Sequence, residues 1–124
     1  MTMRDSITAA RISGPTPTPD GTAILEFRFP PEDPTFAGHF PTRPLVPGVF
    51  LIEMARVAAE TVRAQAFTVR EITKAKFLRP VIPDETVRVE LKLAAQADTL
   101  QAHARLSVGG RPAGEVRLQL VPNP

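Results

Sequence analysis

Pro47-Gly48-Val49-Phe50-Leu51-Ile52-Glu53-Met54-Ala55 opens the one long helical pattern in this 124-residue chain. Proline suits a first helical turn, because the N–H it lacks would have no partner there. Leu51, Met54, Ala55, Ala58 and Val62 then recur at helical spacing, which predicts an amphipathic helix over residues 47–65. The stripe is rich in small residues and suits a helix gripped closely by a sheet. Met54 on it reads as core.

The flanks supply that sheet. Residues 23–29 alternate, with Leu25, Phe27 and Phe29 on one face and Glu26 and Arg28 on the other. Residues 72–78 form a further strand. Val87, Val89, Leu91 and Leu93 alternate with Arg88, Glu90 and Lys92. Ala102, Ala104, Leu106 and Val108 alternate with Gln101, His103, Arg105 and Ser107. Val116, Leu118 and Leu120 alternate with Glu115, Arg117 and Gln119. Asp98 and Gly109-Gly110 mark hairpin turns. Residues 7–13 read as a weak strand, and 14–21 as a turn-forming loop. The expectation is an α+β layout, five or six antiparallel strands around one long helix. Such a sheet leaves an edge and a face that often pair with a second copy.

Composition narrows the classes. The length predicts a single domain over residues 1–124. The chain is 43% hydrophobic and 23% charged, ordinary for a soluble globular protein. No run approaches the ~20 apolar residues of a membrane span. The first five residues lack the apolar core of a signal peptide, so a cytoplasmic location is the expectation. The absence of Cys excludes disulfides and thiol catalysis, and with two His makes zinc a poor fit. Net charge is +2, with twelve Arg against three Lys. No basic run interleaves with aromatics, which argues against nucleic acid. A modest basic patch for an acidic partner is compatible with this charge.

Residues 30–47 carry six prolines and cannot hold regular structure for long. A loop of that length in a small domain is usually functional. It holds Gly38-His39-Phe40-Pro41, and Glu53 follows His39 by fourteen residues. A histidine serves as a base near neutral pH without large perturbation. His39 equally reads as a loop histidine that bonds a backbone carbonyl. Gly48 offers backbone N–H groups at a helix start, an oxyanion donor or simply the beginning of a helix. Glu53 lies in an apolar run that suits a general acid, or it is one end of an i,i+3 pair with Arg56. Gly48 and Glu53 lie about 7.5 Å apart along a helix axis, room for a short acyl unit. His103 and the cluster Lys74, Lys76 and Arg79 read as solvated surface, and Pro80-Val81-Ile82-Pro83-Asp84 as a turn that restarts the sheet.

The stretches Phe36-Ala37-Gly38-His39-Phe40-Pro41 and Pro44-Leu45-Val46-Pro47-Gly48-Val49, with Glu53, resemble the active-site segment of the FabZ-type 3-hydroxyacyl-[acyl-carrier-protein] dehydratases. Lys76-Phe77-Leu78-Arg79-Pro80-Val81-Ile82-Pro83-Asp84 resembles the family's second signature. Together these cover about a third of the chain. The resemblance implies a hot-dog fold, a curved antiparallel sheet wrapped around a central helix. It implies a homodimer with composite active sites, or a higher oligomer built from it. His39 of one subunit would take a proton from C2 of a 3-hydroxyacyl thioester. Glu53 of the other would protonate the departing hydroxyl, and the Gly48 N–H would hold the thioester carbonyl. Phe40, Pro47, Val49, Phe50 and Val57 would line the acyl site. Arg43 and Arg79 would meet the acidic acyl carrier protein. No metal or redox cofactor is implied.

The implied setting is fatty-acid, polyketide-like or polyene-like biosynthesis. The alternatives are a thioesterase of the same fold or an inactive acyl-binding dimer. This chain departs from the family's pattern in several places. Residues 1–30 show no counterpart to its N-terminal helix. Val57 stands where Gln is common, and Arg56 where a small residue is usual. There is no Tyr to gate a tunnel.

Overall fold

The computed structural model describes residues 2–31 and 45–123. The element order is α1 (Met3–Ala10), β1 (Arg11–Pro17), β2 (Ala23–Arg28), α2 (Gly48–Arg63), β3 (Phe67–Phe77), β4 (Thr86–Gln96), β5 (Thr99–Val108) and β6 (Arg111–Pro122). The six strands form one antiparallel sheet in the order β1-β2-β4-β5-β6-β3. The β4–β5 and β5–β6 hairpins turn where expected. Gly109 and Gly110 both take positive φ (58° and 79°), as a tight hairpin turn of this hand requires.

Alternation decides which face of the sheet receives α2. Leu25 and Phe27, Val87, Val89 and Leu91, Ala102, Ala104 and Leu106, and Val116, Leu118 and Leu120 are all buried. Against them lie Leu51, Met54, Ala55 and Ala58 of α2, each 3% exposed or less. Two of these four are Ala, so the small-residue stripe is the face of α2 turned to the strands. The opposite sheet face carries the charged alternates.

The N-terminal thirty residues differ from expectation. Residues 3–10 are helix, not the start of a strand, so the N-terminal segment does carry a helix. The cause is local and tertiary. The Thr2 hydroxyl accepts from the Asp5 N–H at 3.1 Å, while the Asp5 carboxylate accepts from the Thr2 N–H at 3.1 Å. This capping box satisfies two otherwise unpaired donors. Hydrogen bonding to the Asp5 carboxylate from the Thr2 backbone N–H, then from the Thr2 side chain, lowers its pKa below the ordinary value. Ile7 and Ala10 are buried beside α2. Residues 14–17 are not loop either. β1 continues to Pro17 on the sheet's edge, where a proline removes no ladder bond that matters. β3 also begins five residues earlier than the alternation suggests.

Glu60 ties α1, α2 and β3 together. Arg4 Nη2 donates to both Glu60 carboxylate oxygens at 2.7 Å, and the Phe67 N–H donates to Oε2 at 2.7 Å. Glu60→Ala leaves the Phe67 N–H without its acceptor. It is expected to cost about 1–3 kcal/mol, read from the urea midpoint. An unchanged midpoint would dismiss Glu60 as a tie. Among the described residues no helix is long and apolar enough to cross a membrane.

Candidate active site

The start of α2 is built by three constraints. The Val46 N–H donates to the Val81 carbonyl at 2.7 Å, forming a bridge that pins the segment before the helix to the turn after β3. Pro47 takes the N-cap position without a side-chain cap, and its carbonyl accepts from the Phe50 N–H at 2.9 Å. Gly48 is then the first helical residue. A Cβ on Gly48 would lie 2.9 Å from Cε2 of Phe77 and 3.1 Å from its Cζ. The Phe77 ring therefore lies directly against the helix start, and a larger residue at 48 must displace it. The sequence contained the signal for Phe77 in the Lys76-Phe77-Leu78 stretch, without a contact to attach to it.

Around this point the surface is apolar. Val49 is 52% exposed and Phe77 50%, with Leu78 and Ile82 similarly open. Phe50 points inward, buried, with its ring edge-on to Phe29 at a centroid distance of 5.7 Å. Val57 is also buried. It lies nine residues beyond Gly48, about 13.5 Å along the axis, beside the hollow that Arg4 and Glu60 share. Arg79 is exposed, and its N–H reaches the Ala113 carbonyl at 3.4 Å. His39, Phe40 and Arg43 lie outside the described residues.

Glu53 is half-buried on α2. Its Oε1 accepts from Arg56 Nη2, the i,i+3 pair that the spacing offered. Arg56 Nη1 also reaches the Phe67 carbonyl at 3.2 Å, and its Nε is buried with no partner among the described residues. Arg56 thus anchors the carboxylate to the start of β3. Glu53 Oε2 carries no bond among the described residues, which leaves one oxygen for a ligand.

A second cluster occupies the outer face of the sheet. Glu115 accepts from Lys74 Nζ at 2.8 Å and meets His103 Nε2 at 2.5 Å, with Arg117 3.9 Å away. Lys74 and His103 are therefore not simply solvated, as their sequence setting suggested. Hydrogen bonding from Lys74, then His103, holds the Glu115 pKa at about 2, below its ordinary 4.5. The pKa is depressed on folding, so this stabilisation is present above about pH 4.5 and is lost as pH falls through about 2. Acid titration of stability should show that loss, and Glu115→Gln should flatten it. A parallel slope in both proteins would dismiss the cluster.

The fold and this helix start define a hot-dog protein. A solved structure titled as the dehydratase heterocomplex ApeI:P from Xenorhabdus doucetiae matches 90% of this chain and 96% of its own, with a TM-score of 0.72 and 25% identity. A fluoroacetyl-CoA thioesterase, FlK, matches with a TM-score of 0.68 at 17% identity, a likeness of fold. The family model described as ApeI-like, ApeI dehydratase, matches residues 16–110, and the chain belongs to that family. Relatives named 3-hydroxyacyl-[acyl-carrier-protein] dehydratase FabZ include one from Desulforamulus reducens, 38% identical over 94 residues, 69% of this chain and 66% of that protein. Another, from Rhodopseudomonas palustris strain TIE-1, is 36% identical over 93 residues, 67% of this chain and 62% of the relative. The chain thus spans a little under two thirds of these relatives' length.

Proposed function

We propose that the protein dehydrates 3-hydroxyacyl thioesters carried on acyl carrier protein to trans-2-enoyl thioesters. The observation that carries this reading is Glu53. It is a half-buried carboxylate one and a half turns from a glycine-started helix, with one oxygen held and the other open. Membership of a dehydratase family and the relatives' printed activity support it.

In the proposed step His39 takes the C2 proton and the C2=C3 double bond forms. The C3–O bond breaks, and the hydroxyl leaves as water with a proton from Glu53. The Gly48 N–H, at the positive end of α2, stabilises the thioester oxygen as charge develops there. Exchange with solvent resets both groups. The acyl chain lies along the exposed apolar surface of Val49 and Phe77, with Phe40 and Pro47 completing the wall, while Phe50 and Val57, both buried, support the helix from within. Arg43 and Arg79 face the carrier.

The working unit in this reading is a homodimer. β3 is an eleven-residue edge strand, mostly exposed, with half-exposed Ile72 and Phe77 along it. A long exposed edge of this kind, open on one side along its whole length, can pair with a second copy, and His39 and Glu53 then come from different subunits.

The test offers purified protein a 3-hydroxyacyl carrier thioester and follows the conjugated enoyl absorbance, with molar mass from light scattering. Enoyl formation by a dimer supports the reading. Free thiol release without enoyl product would identify a thioesterase, and binding without turnover would leave only an acyl-binding dimer.

A further inference from the structure

Behind the helix start, on the outer face of the sheet, lies a groove of about 630 Å³. Leu78 forms its wall nearest the active site, and Arg88, Glu90, Arg105, Ser107 and Glu115 line it. Leu78 follows Phe77 in the chain, so the end of β3 separates the groove from the ring against Gly48.

The register explains why these groups meet. Arg88 stands opposite Ser107, and Glu90 opposite Arg105, on β4 and β5, while Arg105 stands opposite Glu115 on β6. Both carboxylates are already engaged. Glu115 is held by Lys74 and His103, and Glu90 sits 3.4 Å from Arg88 Nε. Among the described residues the terminal nitrogens of Arg88, the whole Arg105 guanidinium and the Ser107 hydroxyl make no bond. Two guanidinium groups and a hydroxyl lining one concavity form a receptor for a tetrahedral oxyanion. Arginine offers such anions a planar pair of donors. Lys74 and Arg117 add positive charge nearby.

Resting on the dehydratase reading, we infer that Arg88, Arg105 and Ser107 bind the phosphate of the phosphopantetheine arm that delivers the thioester to the helix start. The arm passes over the end of β3, between Leu78 and Phe77. Carrier protein and coenzyme A present the same phosphorylated arm, so the subsite is defined by that chemistry.

The test uses the whole protein and the variants Arg105→Gln and Ser107→Ala. Isothermal titration with 4′-phosphopantetheine, with coenzyme A and with unphosphorylated pantetheine reads binding without turnover. Arg105→Gln is expected to weaken both phosphorylated probes roughly 10-fold, the loss of a charge-assisted hydrogen bond, and to leave pantetheine unchanged. Ser107→Ala should weaken them less. In turnover, KM for phosphopantetheine-borne thioesters rises about as much, while kcat and the KM of an N-acetylcysteamine thioester stay the same. A rise confined to the carrier substrate, or to the coenzyme A substrate, supports the subsite and identifies the source it serves. Equal affinity for phosphorylated and unphosphorylated arms, or no effect of Arg105→Gln on binding, overturns it. Absence of all dehydration would overturn the dehydratase reading instead, and titration alone would then decide the subsite.

Discussion

On the proposed dehydratase reading, Glu53→Gln will slow dehydration by roughly two to four orders of magnitude, the usual contribution of a positioned general acid or base. The amide matches the carboxyl in size and can still accept from Arg56 Nη2 through its oxygen. What it lacks is a proton to give the departing hydroxyl. Enoyl absorbance under saturating substrate measures the loss, and an unchanged thermal melt shows that the helix survives. A fall of less than five-fold would remove Glu53 from the reaction. Arg56→Met is the companion variant. It deletes the bonds to Glu53 Oε1 and to the Phe67 carbonyl while keeping the acid itself. Its kcat should fall by roughly an order of magnitude, less than for Glu53→Gln, with KM nearly constant. That split marks a positioning residue, because a binding residue would move KM first.

What could be read from the sequence follows from where the stabilising interactions lie. α2 and β4 to β6 announce themselves because each buries one face, and burial of one face imposes a period of 3.6 or 2. The Glu53–Arg56 pair is legible for the same reason, since three residues on a helix is one neighbour. α1 is only eight residues long, too short to stand by propensity, and depends on a cap and on packing against α2. Its one local sign is Thr2-x-x-Asp5, a variant of the capping box with a shorter acid. β1 is hidden by Gly14, Pro15 and Pro17, residues that speak for a turn. Its strand state comes from pairing with β2, which local sequence does not report. The Arg4–Glu60 tie spans fifty-six residues and has no periodicity to betray it. Of the candidate site, Gly48 and Glu53 are brought together by the helix that the sequence already showed. Phe77 joins them only through the tertiary fold.

Two glycines with nearly the same backbone angle should respond very differently to alanine. Gly14 has φ +88° and Gly21 +83°, a region that L-residues rarely adopt. On that ground alone each substitution costs about 1–3 kcal/mol. The surroundings separate them. A Cβ on Gly21 meets nothing within 4 Å. A Cβ on Gly14 falls 2.3 Å from the Ile24 carbonyl oxygen and 2.8 Å from the Leu25 Cα, both backbone atoms of the paired strand β2. A rotamer change cannot relieve such a contact, so β1 must lift from β2. Leu25 is fully buried, which ties that displacement to the core. Gly14→Ala should therefore destabilise the protein by about 2–4 kcal/mol, at the severe end for a single substitution, with hydrogen exchange rising along β1 and β2. Gly21→Ala should stay near 1 kcal/mol, the low end for the angle alone. Chemical denaturation of the two variants side by side measures the difference. Equal losses would mean that backbone angle alone decides, and that β1 yields without disturbing the strand beneath it.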